Sequence, residues 1–225
     1  MKGKTTMKPD YQLAATKATE TLIKFGINSA PVDPLPILKK IPGVLVVSYQ
    51  KMSDDVDEDR QCVIDMFGEK NQDAFTAVKL KEDKKHYIVT YNQRLSQVLV
   101  QRAFARELGH IILGHDGSRP EEVRNEEAKC FAHHLLVPRP LIHMIQASGL
   151  RLTEEVLGNL TGCYHYCLSC IRKTPAVSVS PDLNRLIRDQ FKPYFMNFFD
   201  FQRYAEHKDG SAVADLGSFM AGYEE

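Results

Sequence analysis

The sequence has no excess of one charge and no long apolar run. Its 225 residues include 29 Lys plus Arg and 29 Asp plus Glu, so the formal net charge is zero. A nucleic-acid-binding domain usually carries a basic excess or stripe, and we therefore expect no direct contact with nucleic acid. No segment approaches the roughly 20 apolar residues that cross a bilayer. We also expect no membrane partner.

A secretion signal is lacking as well. The basic start, residues 1–8, is not followed by the apolar segment of a signal peptide. We therefore expect a cytoplasmic protein. In that compartment the five cysteines stay reduced and do not form a disulfide framework.

The residue spacing predicts an α+β fold. Apolar residues at helical spacing predict a helix over 10–25, and Asp33 before Pro34 predicts the start of a short helix that ends near residue 41. Runs rich in β-branched and aromatic residues predict strands of a small, mainly antiparallel sheet at 44–49, 61–67, 75–80 and 86–91. Helical spacing then predicts three helices at 94–114, 121–137 and 139–148.

A composition change near residue 150 predicts two parts. Residues 1–150 form the first domain, and residues 151–225 form a mostly helical extension that contains cysteines and many aromatic residues. The aromatic residues of its end are Phe191, Tyr194, Phe195, Phe198, Phe199, Phe201 and Tyr204. We expect them to pack in a core, with a partner-binding surface as the alternative.

Glu107 and His110 lie three residues apart in the predicted helix 94–114, so they share a face. A histidine that holds a metal and a glutamate that takes a proton from metal-bound water are what a zinc hydrolase needs. The predicted helix 121–137 would bring in a further ligand.

These two helices resemble the active-site helices of the ImmA/IrrE family of metallopeptidases, in the gluzincin group. The family reads His-Glu-x-x-His, often followed by Leu-x-His, and then Glu-x-x-Ala-Asn-x-Phe-Ala. The matching residues are Glu107, Leu108, Gly109, His110, Leu113, His115, Ala128, Phe131, Ala132 and residues 135–138. The resemblance covers roughly residues 10–148. It implies a zincin-like fold, a zinc cofactor and a protein substrate or partner, notably a repressor of mobile elements or stress genes.

The sequence departs from the family at its metal ligands. Arg106 stands where the family has its first histidine, Asn125 where it has a glutamate ligand, and Lys129 at that ligand's Asn/Asp partner. A guanidinium has no lone pair for zinc. The resemblance leaves Glu107 as the catalytic base and His110 as a metal ligand. Glu126 is a further ligand only if its helix is rotated or shifted, because it lies about 100° around the helix from Asn125.

Other side chains could complete a remodelled site. His115 could join only if its helix has ended, and Cys130, His133 and His134 are more simply explained by packing. We also formulate a hypothesis: Arg106 replaces the missing cation by pairing with Glu107 or Glu126, so that the fold survives without zinc.

A cysteine segment forms a second candidate site. Cys163, His165, Cys167 and Cys170 could hold zinc. A radical-SAM iron–sulfur cluster uses the same cysteine spacing, but its motif belongs near the start of a barrel. The three cysteines also lie at i, i+4 and i+7, the spacing of an ordinary core stripe.

Three interpretations follow. The chain is an active zinc peptidase with a remodelled site, a pseudoenzyme that binds a regulator, or a protein whose metal site is the cysteine segment.

Overall fold

The computed structural model describes residues 7–56, 62, 73–81, 84–147, 153–161, 175 and 177–207, with side chains up to residue 198. This part of the chain contains eight helices and a sheet of three strands. The α+β prediction is confirmed.

The first two helices begin at aspartate caps. Helix α1 spans Tyr11–Lys24, and the Asp10 carboxylate accepts a hydrogen bond from the Leu13 amide at 2.9 Å. Helix α2 spans Pro34–Lys40, and Asp33 accepts from the Leu35 amide at 3.0 Å. An aspartate at this position satisfies an amide that has no partner inside the helix. The two predicted helix starts are therefore confirmed.

The sheet is mixed. Its strands are β1 (Val44–Ser48), β2 (Ala74–Lys81) and β3 (Lys84–Tyr91), in the order β1-β3-β2. The longer pairing, β2 with β3, is antiparallel, and β1 pairs with β3 in parallel. Helix α3 (Tyr49–Val56) follows β1. The predicted strand 61–67 lies outside the described residues except for Cys62, whose backbone is helical.

The next two helices carry the residues that resemble a metallopeptidase. Helix α4 spans Gln97–Ile112 and helix α5 spans Glu121–Leu136. They approach closely at Gly109, where a Cβ atom would lie 3.1 Å from the Phe131 ring and 3.2 Å from the Ala128 carbonyl oxygen. The absent side chain at Gly109 thus allows the two helices to meet at this point.

Three further helices complete the described part, namely α6 (Arg139–Ala147), α7 (Glu154–Thr161) and α8 (Pro181–His207). Phe191, Tyr194, Phe195 and Phe198 of α8 are buried in the same core as α1 and α5. Core packing is confirmed for these four aromatic residues. The side chains of Phe199, Phe201 and Tyr204 lie outside the described set, and the division at residue 150 stays a prediction.

None of the described helices has both the length and the apolar character that crossing a membrane requires.

Candidate active-site cavity

A cavity of about 570 Å³ lies beside α4, α5 and strand β2. Strand β2 contributes Phe75, Thr76 and Val78, and α4 contributes Arg106, Glu107 and His110. The remaining lining residues are Tyr87, His115, Asp116, Gly117, Glu121, Arg124, Asn125 and Lys129. The predicted base Glu107 and the predicted ligand His110 thus line one cavity.

Glu107 is buried and bonded on both carboxylate oxygens. Its Oε1 accepts from Nε of Arg106 at 3.2 Å, and its Oε2 accepts from the Thr76 hydroxyl at 2.8 Å. Arg106 also donates from Nη2 to the Ala74 carbonyl at 3.2 Å. Burial raises the pKa of Glu107, while Arg106 and the Thr76 bond oppose that rise. The hypothesis that Arg106 pairs with Glu107 or Glu126 is confirmed for Glu107.

His115 turns back to meet His110. Helix α4 ends at Ile112, and Gly114 has a φ of +67°, a conformation that glycine adopts at little cost. The Nδ1 atoms of the two histidines lie 2.8 Å apart. The condition under which His115 could join the site, an end to the helix, is met.

Glu127 is a buried carboxylate that contacts His115 and accepts several further hydrogen bonds. Its Oε2 lies 3.0 Å from Nε2 of His115, and its two oxygens accept from Nη1 and Nη2 of Arg119, each at 2.8 Å. Its Oε1 also accepts from the backbone N–H of Asp10 at 2.6 Å. The carboxylate therefore links the start of α1 to the cavity.

Burial favours the neutral form of both cavity histidines. Burial lowers the pKa of His110 to about 3, with His115 and Arg106 adding to the effect. Burial also lowers the pKa of His115, although the bond to Glu127 opposes it. Neutral imidazoles have one donor nitrogen and one acceptor nitrogen each.

Glu126 is not brought to His110. Its carboxylate is about half exposed and pairs with Lys129 at 2.8 Å, and it does not line the described cavity. Asn125 and Lys129, which stand where the family motif has other residues, do line the cavity.

The other candidate ligands lie in packed surroundings. Cys130 and His134 are buried, and His133 is partly buried. Burial raises the pKa of the Cys130 thiol to about 12 and lowers the pKa of both histidines to about 4. The packing interpretation accounts for the burial of Cys130 and His134. Cys163, His165, Cys167 and Cys170 lie outside the described residues.

The cavity residues do not fit a zinc ion. Zinc in proteins takes three or four ligands from His, Cys, Asp or Glu. Within the described ranges, no group of three or more such side chains is arranged to hold a metal. Both ring nitrogens of His115 are engaged, and Arg106 places a permanent positive charge against Glu107. Of the three residues that hold zinc in the family, only His110 is therefore present in this cavity.

Sequence reasoning did not assign roles to Thr76, Arg119 and Glu127. A signal for Glu127 was present, because it lies four residues from both Val123 and Phe131 and so shares their buried face. Thr76 and Arg119 reach Glu107 and Glu127 across 31 and 8 residues of sequence, and helical spacing gives no sign of such contacts.

Comparison with known proteins agrees with the resemblance. Residues 61–161 match the family model described as the IrrE N-terminal-like domain. No curated protein and no solved structure matched the chain. The matched segment includes β2, α4 and α5, the elements that surround the cavity. Residues 61–161 are therefore similar to the metallopeptidase-like domain of the ImmA/IrrE family.

Proposed function

We propose that this domain binds a regulatory protein, of the repressor type, in its cavity without cleaving it. It would act in the cytoplasm as a metal-free relative of the ImmA/IrrE peptidases. The observation that carries the proposal is the Arg106–Glu107 ion pair at 3.2 Å. A carboxylate that neutralises a fixed cation is poorly placed to take a proton from water.

The proposal is also supported by the loss of ligands. Arg106 and Asn125 occupy two positions that hold metal in the family, and the described residues supply no alternative set of three. Because each ligand contributes to metal affinity, the loss of two removes much of the binding free energy. The metal-bound water that a zinc peptidase uses for proteolysis would then be missing.

Binding of a protein segment is supported by the walls of the cavity. Strand β2 lies at an edge of the described sheet and lines the cavity through Phe75, Thr76 and Val78. An edge strand can pair with an extended segment of a partner through its backbone groups. Val78 is 45% exposed and offers apolar contact beside the charged cavity residues.

The test is site-specific photo-cross-linking in cells, followed by an assay of the captured protein. A cross-linker at Val78 reports the cavity, and one at exposed Met196 of α8 is the matched control. We expect one protein to be captured from Val78 and not from Met196. After purification, that protein should bind this chain and keep its intact mass when zinc is added.

Two results would contradict the proposal. Capture of the same proteins from both positions would mean that the cavity has no specific partner. Cleavage of the captured protein that requires zinc and is lost in Glu107→Gln would establish the active-peptidase interpretation.

A further inference from the structure

The buried contacts behind the cavity form one continuous chain of side chains. Arg119 binds Glu127, Glu127 contacts His115, and His115 contacts His110, with distances of 2.8, 3.0 and 2.8 Å. Glu127 and His115 are buried, and His110 lines the cavity. The order of these contacts determines where the ring protons lie.

The Glu127 carboxylate can only accept hydrogen bonds. Its two oxygens accept from the two terminal nitrogens of Arg119, the geometry of an arginine–carboxylate pair, and Oε1 also accepts from the Asp10 amide. Nε2 of His115 must therefore carry the proton and donate to Oε2 of Glu127. At a pH above the ordinary imidazole pKa of about 6.5, His115 carries one ring proton, so its Nδ1 is then an acceptor.

The position of the proton on His115 also determines the position of the proton on His110. Its Nδ1 faces the acceptor Nδ1 of His115 at 2.8 Å, so it must be the donor. At the same pH His110 also carries a single ring proton, and its remaining nitrogen, Nε2, is then unprotonated. We propose that Glu127 and His115 are positioning residues that hold His110 as the Nδ1–H tautomer, so that Nε2 accepts a hydrogen bond from an N–H or O–H group of the protein partner. The part that concerns a partner rests on the proposed function, whereas the tautomer does not.

The substitution Glu127→Gln should reverse the chain of donors. The amide oxygen would keep the bonds from Asp10 and Nη2 of Arg119, which share Oε1 in the wild type. The amide NH₂ would take the place of Oε2, so the bond from Nη1 of Arg119 would be lost and the NH₂ would donate to Nε2 of His115. His115 would carry its proton on Nδ1, and His110 would carry its proton on Nε2.

The experiment is ¹⁵N NMR of protein labelled at its histidine rings, with the His110 signals assigned by their loss in His110→Gln. In the wild type we expect Nε2 of His110 at the chemical shift of an unprotonated nitrogen and Nδ1 at that of a protonated one. In Glu127→Gln the two shifts should exchange. The matched control is Glu126→Gln, which changes the exposed neighbour and should keep the wild-type pattern.

A wild-type His110 protonated at Nε2 would overturn the proposal, and this result does not depend on whether Glu127→Gln folds. An unchanged pattern in folded Glu127→Gln would also overturn it. The partner captured from Val78 serves as the probe for the second half. Its affinity should fall about fivefold in Glu127→Gln, the size of one hydrogen bond, and stay unchanged in Glu126→Gln.

Unchanged affinity with an exchanged tautomer would overturn the role in partner binding. Failure to capture any partner would defeat the proposed function and the partner half of this inference, while the NMR result for the tautomer would stand.

Discussion

Arg106 and Glu107 are consecutive residues of α4 whose side chains bind each other, with Nε donating to Oε1 at 3.2 Å. The same guanidinium donates to the Ala74 carbonyl of β2, and Thr76 of β2 donates to Glu107. The pair thus joins α4 to the sheet at the helix position where the resemblance places the family's first histidine. A cation of the protein's own accompanies the buried carboxylate.

Removing Arg106 should destabilise the fold. In Arg106→Ala the Glu107 carboxylate keeps only Thr76 as a described partner, and a buried charge without its counter-ion is costly. Because the Arg106 side chain is 24% exposed, we expect a loss of about 2 kcal/mol in the free energy of unfolding, below the cost for a fully buried pair. Urea denaturation at neutral pH measures it.

The matched control for that loss is Lys129→Ala, which breaks the exposed pair with Glu126. It should change the free energy of unfolding by less than about 0.5 kcal/mol. Equal effects of the two substitutions would mean that Arg106 does not replace a structural cation.

His134 should make the protein acid-sensitive. Burial lowers the pKa of His134 from 6.5 to about 4. As the pH falls from 6.5 toward 4, the unfolded chain takes up this proton before the folded chain does, so the folded state loses stability. The slope from one such histidine is at most about 1.4 kcal/mol per pH unit. Its Nε2 is also buried without a hydrogen-bond partner in the described structure.

The variant His134→Leu should therefore gain about 1 kcal/mol at neutral pH, because it removes an unpaired buried polar atom. It should also lose stability less steeply than the wild type between pH 6.5 and 4. Urea denaturation across this range measures both effects. His143→Leu, at an exposed position of α6, is the control and should keep the wild-type slope. A wild-type slope in His134→Leu would show that His134 is not the source of the acid sensitivity.

Gly109 should be intolerant of a side chain. Alanine would favour the helix by about 1 kcal/mol, but its Cβ would lie 3.1 Å from Phe131 and 3.2 Å from the Ala128 carbonyl oxygen. We expect the clash to outweigh that gain and to cost about 1 kcal/mol net. Thermal denaturation of both variants measures the effect. The control is Gly117→Ala, whose Cβ would meet no atom within 4 Å and which should leave stability nearly unchanged. Stabilisation by Gly109→Ala would show that α4 and α5 can separate.

Two substitutions should bring back the family ligand set. Arg106→His supplies the missing histidine, and Asn125→Glu supplies the missing carboxylate beside His110. We expect the double variant to bind zinc in a calorimetric titration and each single variant to bind at least tenfold more weakly, since three ligands are needed. A folded double variant that does not bind zinc would mean that the cavity itself has changed shape.

Local rules predicted much of the fold. The Asp33 cap located the start of α2, and helical spacing located α1, α4, α5 and α6. The parallel pairing of β1 with β3 was not predicted, because strand composition says nothing about which strands become neighbours.

The site was less predictable for two geometric reasons. His115 reaches His110 because the helix ends at Ile112 and Gly114 leaves the helical conformation, whereas helical spacing predicted a helix through residue 114. Glu127 and Glu126 are adjacent in sequence but differ by about 100° around the helix, and this angle separates a buried hydrogen-bond centre from an exposed ion pair. The resemblance placed the family's glutamate ligand at Asn125 and left Glu126 as its nearest carboxylate, whereas Glu127 shares the buried face of Val123 and Phe131.

We infer that the pair of helices α4 and α5 holds no metal. The most direct measurement is the zinc content of the purified Cys163→Ser/Cys167→Ser variant beside the wild type, since this variant removes the contribution of the cysteine segment. We predict less than a tenth of an equivalent of zinc in the variant, on the order of adventitious binding. About one equivalent in the variant, lost on the further substitution His110→Ala, would contradict the account and place a metal between the helices.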